Sequence, residues 1–237
     1  MLDKTDQPTP QDEAFQVRIL DDVSRTFALT IPQLPEGLSR VVGNAYLLCR
    51  IADTIEDDKD LAFTCKREFS DLFIQVVAGD QSPVEFAKKL APLLSDSTPV
   101  QEKHLIEETP AVIRITHSFN DRQRAALTRC IRIMADGMSK FQEAEVKNGL
   151  ETQQDMDNYC YYVAGVVGEM LTELFCDYSK TVNIHHDKLM KLAVSFGQGL
   201  QMTNILKDIW DDQERHMCWL PNEVFMQYGT DLSELVP

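Results

Sequence analysis

Apolar residues recur at three- and four-residue spacing through almost the whole chain, and strand-like alternation between turn signals is nearly absent. After a polar tail at residues 1–12, the spacing predicts a first helix from Glu13 to Val23. Ile31-Pro-Gln-Leu-Pro35 interrupts the pattern, and Pro35-Glu36-Gly37 reads as a connector. A second helix is predicted from Ser39 to Asp57, then others at 61–78, 83–94, 100–109, 121–147, 153–178 and 187–213. Gly79-Asp80, Ser95-Asp96-Ser97 and Asn120-Asp121 punctuate them. The expected fold is an all-α bundle forming a single domain over 13–237, antiparallel where connectors are short.

Two helices carry an unusual polar stripe. On the second, Gly43, Tyr46, Arg50, Asp53 and Asp57 share one narrow face, with Leu47, Leu48, Ile51 and Ile55 opposite. Asp53 and Asp57 stand four residues apart, so their carboxylates project side by side and repel unless a cation joins them. By itself this stripe is more simply a solvated face. On the last long helix, Gly197, Gln201, Asn204, Asp208 and Asp212 form a second stripe, with Met202, Leu206, Ile209 and Trp210 on the other side. Solvated faces are usually filled with Lys and Glu. Here the residues are amides, glycine and paired Asp, which suit a cation site better. Two Asp-x-x-x-Asp elements on separate helices are more specific than one. Brought face to face, they would gather up to four carboxylates, a set that is costly without counter-charge. Mg2+ would satisfy them and leave coordination positions for phosphate oxygens. Arg50 lies one turn before Asp53 and Lys207 directly before Asp208, so both could donate to phosphate oxygens.

A third segment, Tyr159-Cys-Tyr-Tyr-Val-Ala-Gly-Val-Val-Gly168, is apolar or small all round and should be buried. Gly165 and Gly168 each cost roughly 1 kcal/mol of helix stability relative to Ala. Close packing of a neighbouring helix and a ligand channel explain them equally well. A long apolar pocket beneath a metal–phosphate mouth would suit an isoprenoid diphosphate.

Composition narrows the function classes. The chain has 237 residues, with 23 Lys+Arg against 38 Asp+Glu and a net charge of −15. That balance disfavours nucleic-acid binding, which needs a basic surface to displace counterions, and a purely electrostatic membrane anchor. The first fourteen residues lack the basic and apolar regions of a cleavable signal, and no stretch reaches the roughly 18 apolar residues of a spanning helix. The six scattered cysteines have no zinc spacing and read as reduced thiols, which suits a cytoplasmic protein.

Four motifs in order resemble the squalene/phytoene synthase family of head-to-head prenyl transferases, over about residues 18–225. They are Ser24-Arg-Thr-Phe27, Tyr46 through Asp58 with its Asp-Thr-Ile-Glu-Asp core, Tyr159 through Gly168, and Leu200-Gln-Met-Thr-Asn-Ile-Leu-Lys-Asp208 followed by Asp211-Asp212. Their wording looks most like squalene synthases, with phytoene synthases next. The resemblance implies an isoprenoid (terpenoid) synthase bundle. It also implies Mg2+-dependent condensation of two farnesyl diphosphates to presqualene diphosphate, then reduction by NADPH to squalene. It assigns Asp53, Glu56, Asp57, Asn204, Asp208 and Asp212 to Mg2+. Arg25, Arg50 and Lys207 would contact diphosphate, with Ser24 also on the substrate. Tyr46 and Gln201 would line the mouth, Phe27 the apolar wall, and Tyr159 would help remove a proton during cyclopropane closure. Peripheral membrane contact would serve release of a water-insoluble product.

Two departures qualify the match. The family often shows a Gly-Arg pair after the second acidic motif, whereas Gln213-Glu-Arg-His-Met-Cys-Trp-Leu-Pro221 has Arg215 without a glycine beside it. Family members also continue through further helices where this sequence stops at Pro237, and those helices help close the pocket and contribute to NADPH binding. No G-x-G-x-x-G replaces them. The expectation is therefore a shortened catalyst with an exposed apolar wall. Two other outcomes compete: condensation without reduction, giving dehydrosqualene or phytoene, and a non-catalytic isoprenoid-binding protein.

Overall fold

The computed structural model describes residues 7–24, 26–143, 148–214 and 217–232. It is helical, as the spacing predicts; among the described residues the one β-type pairing is an isolated bridge between Leu150 and Pro221. The chain divides into two compact units, Met1–Ala135 with Glu173–Ile184, and Asp136–Thr172 with His185–Pro237. No helix among the described residues is long and apolar enough to cross a membrane.

In the first unit α1 spans Pro10–Val23 and begins before the expected Glu13. Thr9 and Asp12 form a capping box: the Thr9 hydroxyl accepts from the Asp12 N–H at 3.3 Å, and the Asp12 carboxylate accepts from the Thr9 N–H at 2.7 Å. Pro10 sits in the first turn, where its missing N–H costs nothing. A short helix α2, Phe27–Thr30, and a 3-10 turn at Ile31–Gln33 lead into α3, Glu36–Asp57. The expected buried side of α3 is observed, with Leu47, Leu48, Ile51 and Ile55 fully inaccessible. Asn44, also on the buried side, accepts from the Gln16 amide at 3.2 Å and donates to the Thr116 hydroxyl at 2.7 Å. Such a satisfied polar network fixes which helices neighbour one another.

Next come α4, Phe63–Ala78, α5, Pro83–Leu90, and α6, Val100–Glu107. Gly79 ends α4 with a positive φ of 90°, so that its own N–H and that of Asp80 reach back to the last carbonyls. The spacing did not predict α7, Thr109–His117, whose Ala111, Val112, Ile113 and Ile115 are buried. Thr109-Pro110 looks like a stop signal but places proline in the first turn, where a helix tolerates it. A long α8, Asp121–Glu143, follows; residues 144–147 of the expected 121–147 helix lie outside the described residues.

The predicted 153–178 helix is α9, Gln153–Cys160, and α10, Val166–Tyr178, joined by a π-helical turn at Tyr161–Gly165. After a short α11, Lys180–Asn183, the predicted 187–213 helix is α12, His186–Lys207, and α13, Ile209–Glu214, separated at Asp208. A final α14 spans Asn222–Gln227.

The second unit packs α12 against the π turn through glycines. A Cβ on Gly197 would stand 2.5 Å from the Ala164 carbonyl oxygen, and one on Gly168 would stand 2.5 Å from that of Ala193. Gly165 leaves room for the Tyr161 ring, one turn earlier. Gly168 therefore serves close helix packing, which decides between the two explanations that spacing left open. The core of this unit gathers Leu150, Met156, Tyr159, Cys160, Ile205, Trp219, Leu220 and Leu232. The other side of α12 and α13 is not buried: Phe196 is 74% exposed and Leu206 64%, with Leu192, Leu200 and Trp210 also open.

Candidate functional site

Each acidic stripe belongs to its own unit. In the first, the C-terminal half of α3 presents Tyr46, Arg50, Asp53 and Asp57. The Tyr46 hydroxyl donates to the Val23 carbonyl at 3.0 Å, tying α3 to the end of α1. Arg50 donates to that hydroxyl from one terminal nitrogen at 3.1 Å, and its cation lies 5.7 Å from the centre of the Tyr46 ring. Its other terminal nitrogen stands 3.9 Å from Asp53 and 3.9 Å from Glu102 on α6. Burial alone would make Arg50 easier to deprotonate, but Asp53, Tyr46 and Glu102 together hold it charged. The Arg50 Nε is buried and has no hydrogen-bond partner among the described residues.

Burial, followed by the charges of Asp57 and Glu102, pushes the Asp53 carboxyl up to about 7, against the pull of Arg50. Glu102 is likewise raised, mainly by burial, with Arg50 opposing and Asp57 adding. Carboxylates so crowded are stabilised as anions by a cation. That is the donor chemistry of Mg2+ sites built on one or two carboxylates plus substrate phosphate. Among the described residues, no group of three or more His, Cys, Asp or Glu is placed to hold a metal by itself.

The three acids ending α3 have separate surroundings. Asp57 is exposed, and the Glu56 carbonyl accepts from the Lys66 ammonium. Burial lowers the Lys66 pKa although Glu56, Asp57 and Asp58 oppose it. Asp58 is buried and accepts from the backbone of Asp60 and Leu61 at 2.9 and 3.0 Å, and from Ser95 N–H and Thr98 hydroxyl at 2.7 Å each. Burial works against its ionisation, yet these four donors hold it below the usual carboxylate range. Asp58 thus anchors the loops around the site.

Ser24 is buried and caps α2, its hydroxyl accepting from Phe27 and Ala28 N–H at 3.0 and 3.3 Å. Phe27 is half exposed, its ring centre 5.6 Å from that of Tyr46. Arg25 lies outside the described residues, as do Arg215 and His216.

In the second unit, Gln201, Asn204, Asp208 and Asp212 follow one another along α12 and α13, all half-buried. The break at Asp208 preserves the stripe because Asp208 N–H still donates to the Asn204 carbonyl at 2.8 Å and Asp212 N–H to the Asp208 carbonyl at 2.9 Å. Lys207 pairs with Asp208 at 3.4 Å. Gly197, the first member of the stripe, packs on the π turn. Tyr159 is buried, stacked on Trp219 at 3.8 Å between ring centres, with Phe141 edge-on at 5.3 Å. Sequence reasoning missed Glu102, Thr54 and Lys66. No local pattern marks Glu102, which α6 brings to Arg50 from far along the chain.

The family model for squalene/phytoene synthases matches residues 20–237. The squalene synthase clz20 of Cochliobolus lunatus is 32% identical over 217 residues, covering 90% of this chain and 49% of its own. A squalene synthase of Schizosaccharomyces pombe is 28% identical, covering 97% of this chain and 48% of its own. A solved TcSQS–ligand complex superposes with a TM-score of 0.75 at 28% identity, over 94% of this chain and 61% of that one. The chain thus spans about half the length of the curated relatives it matches. It belongs to the squalene/phytoene synthase family.

Proposed function

We propose that the chain carries out head-to-head condensation of two farnesyl diphosphates to presqualene diphosphate and, with NADPH, on to squalene. The observation that carries this is the end of α3: a crowded carboxylate, Asp53, beside a guanidinium whose buried Nε still has a donor to give. Such a pair serves a ligand that brings both metal and phosphate oxygen.

Asp53, Glu56 and Asp57, with Asn204, Asp208 and Asp212, are the residues that would hold Mg2+. The bound metal would take up the negative charge that builds on diphosphate as it leaves. Arg50 binds a diphosphate oxygen, and Arg25 and Lys207 neutralise the rest. Ser24 meets the substrate where it caps α2. Tyr46 holds Arg50 and Phe27 contributes apolar wall, and Gln201 is assigned to the substrate as well. Departure of diphosphate leaves an allylic cation, which the double bond of the second farnesyl group attacks. Loss of a proton then closes the cyclopropane. The departed diphosphate takes that proton, and Tyr159, its ring held against Trp219, helps its removal. Water must be excluded, because it would trap the cation as an alcohol. The reduction has no residues of this chain assigned to it.

The test is product identity. The chain is incubated with farnesyl or geranylgeranyl diphosphate and Mg2+, with and without NADPH, and hydrocarbons and alcohols are extracted. Presqualene diphosphate, and squalene when NADPH is added, is the expected result. Phytoene or dehydrosqualene would replace the proposal by condensation without reduction. Binding with no release of diphosphate would leave a non-catalytic binder and refute it.

A further inference from the structure

We infer that Glu102 is a positioning residue for Arg50, sharing its guanidinium so that Asp53 stays available to a cation. This rests on the proposed function, and it adds a residue on α6 that the motifs do not contain.

Three groups hold the Arg50 side chain. The Tyr46 hydroxyl takes one terminal nitrogen at 3.1 Å and is itself fixed on the Val23 carbonyl at 3.0 Å. The other terminal nitrogen stands midway between two carboxylates, 3.9 Å from Asp53 and 3.9 Å from Glu102. Glu102 is in turn held by Thr54, whose hydroxyl lies 3.4 Å from its second oxygen and 2.8 Å from the Arg50 carbonyl. Thr54 is 2% exposed, so this brace is internal to the packing of α3 on α6. With its terminal nitrogens so engaged, the guanidinium keeps its buried Nε without a partner among the described residues. That nitrogen is the donor left for a ligand oxygen.

The equal spacing gives Glu102 its role. Without its charge, the guanidinium would swing onto Asp53, its other carboxylate partner among the described residues, and form a closer pair. That movement would take Nε away from its present direction and occupy the carboxylate assigned to the metal. Glu102 does not replace Asp53 as a ligand. One of its oxygens faces Arg50, the other faces Thr54, and no group of three acids among the described residues is placed to hold a metal by itself.

The test compares wild type, Glu102→Gln, Arg50→Lys and the double variant. Gln keeps the shape and the Thr54 contact while removing the charge. Glu102→Gln should raise KM for farnesyl diphosphate about tenfold, as expected for a weakened charge-assisted hydrogen bond, and change kcat by less than about threefold. In the Arg50→Lys background the same substitution should change KM by less than about twofold, because its target is gone. A second readout needs no turnover. The Arg50 Nε–H resonance, assigned by its loss in Arg50→Lys, should shift and exchange faster with water in Glu102→Gln. Wild-type KM together with an unchanged resonance would overturn the inference, and so would a tenfold loss that persists in the Arg50→Lys background. If Glu102→Gln does not fold, Thr54→Val removes the brace instead and should shift the same resonance; an unchanged resonance there overturns it. A wild-type chain that releases no diphosphate refutes the proposed function, while the resonance still decides the role of Glu102.

Discussion

Two glycines of α12, two residues apart, should respond oppositely to the same substitution. Gly199 is exposed, and a Cβ placed there meets nothing within 4 Å. Gly199→Ala therefore brings only better helix propensity, about 1 kcal/mol. Gly197→Ala brings the same propensity but drives its methyl to 2.5 Å from the Ala164 oxygen, 2.7 Å from its carbonyl carbon and 2.9 Å from Gly165 Cα. Every one of those atoms is backbone, so no side chain can turn aside, and α12 must back away from the π turn by nearly an ångström. Overpacking of that kind costs about 3 kcal/mol at the upper end of its range, leaving a net loss of about 2 kcal/mol after the propensity gain. For a chain of this size the melting temperature should rise by about 2–4 °C in Gly199→Ala and fall by about 4–8 °C in Gly197→Ala. Thermal and urea unfolding of both variants beside wild type is the assay. Equal stabilisation by the two substitutions would refute close packing of α12 on the π turn.

Asp12→Asn removes a carboxylate that burial disfavours but that Arg114 and Thr9 hold below its usual pKa. A group lowered on folding stabilises above its unfolded pKa and loses that contribution as pH falls. The variant should thus be about 2 kcal/mol less stable at pH 7, with the gap closing below about pH 4 in urea melts across pH. Asp58→Ala strands the Ser95 N–H and Thr98 hydroxyl that now donate to it, and should cost about 3 kcal/mol in the same melts. Phe196→Glu and Leu206→Glu alter exposed positions, so each should move stability by less than about 0.5 kcal/mol. Both should also shift sedimentation of concentrated protein toward the monomer.

The helical spacing carried most of the fold, because burial repeats along a helix at the same interval as its side chains. That is why the buried side of α3, Leu47, Leu48, Ile51 and Ile55, could be read directly. It could not show α7, where Pro110 marks a first turn and not an end. Nor could it show that the apolar side of α12 is open at Phe196 and Leu206 while Ile205 is buried, since periodicity says which residues share a face and not what covers it. In the site, Arg50 and Asp53 were legible as neighbours on one helix. Glu102 was not, because α6 brings it in from elsewhere. The consecutive acids Asp57 and Asp58 look alike in sequence, yet one is exposed and the other anchors two loops. Gly168 was ambiguous until the Ala193 backbone was found beside it.

The central claim is that both acidic stripes serve one Mg2+-dependent departure of diphosphate. Its most direct measurement is the rate of diphosphate release from farnesyl diphosphate under Mg2+ titration, in wild type, Asp57→Asn, Asp212→Asn and the double variant. Loss of roughly 2.7 kcal/mol of charge stabilisation predicts about a hundredfold slower release in each single variant. Both should melt no lower than wild type without metal, since a like charge has been removed. Residues acting as one unit are non-additive, so the double variant should be little slower than either single one. Wild-type release in Asp57→Asn or Asp212→Asn, or release that does not depend on Mg2+, would contradict the account.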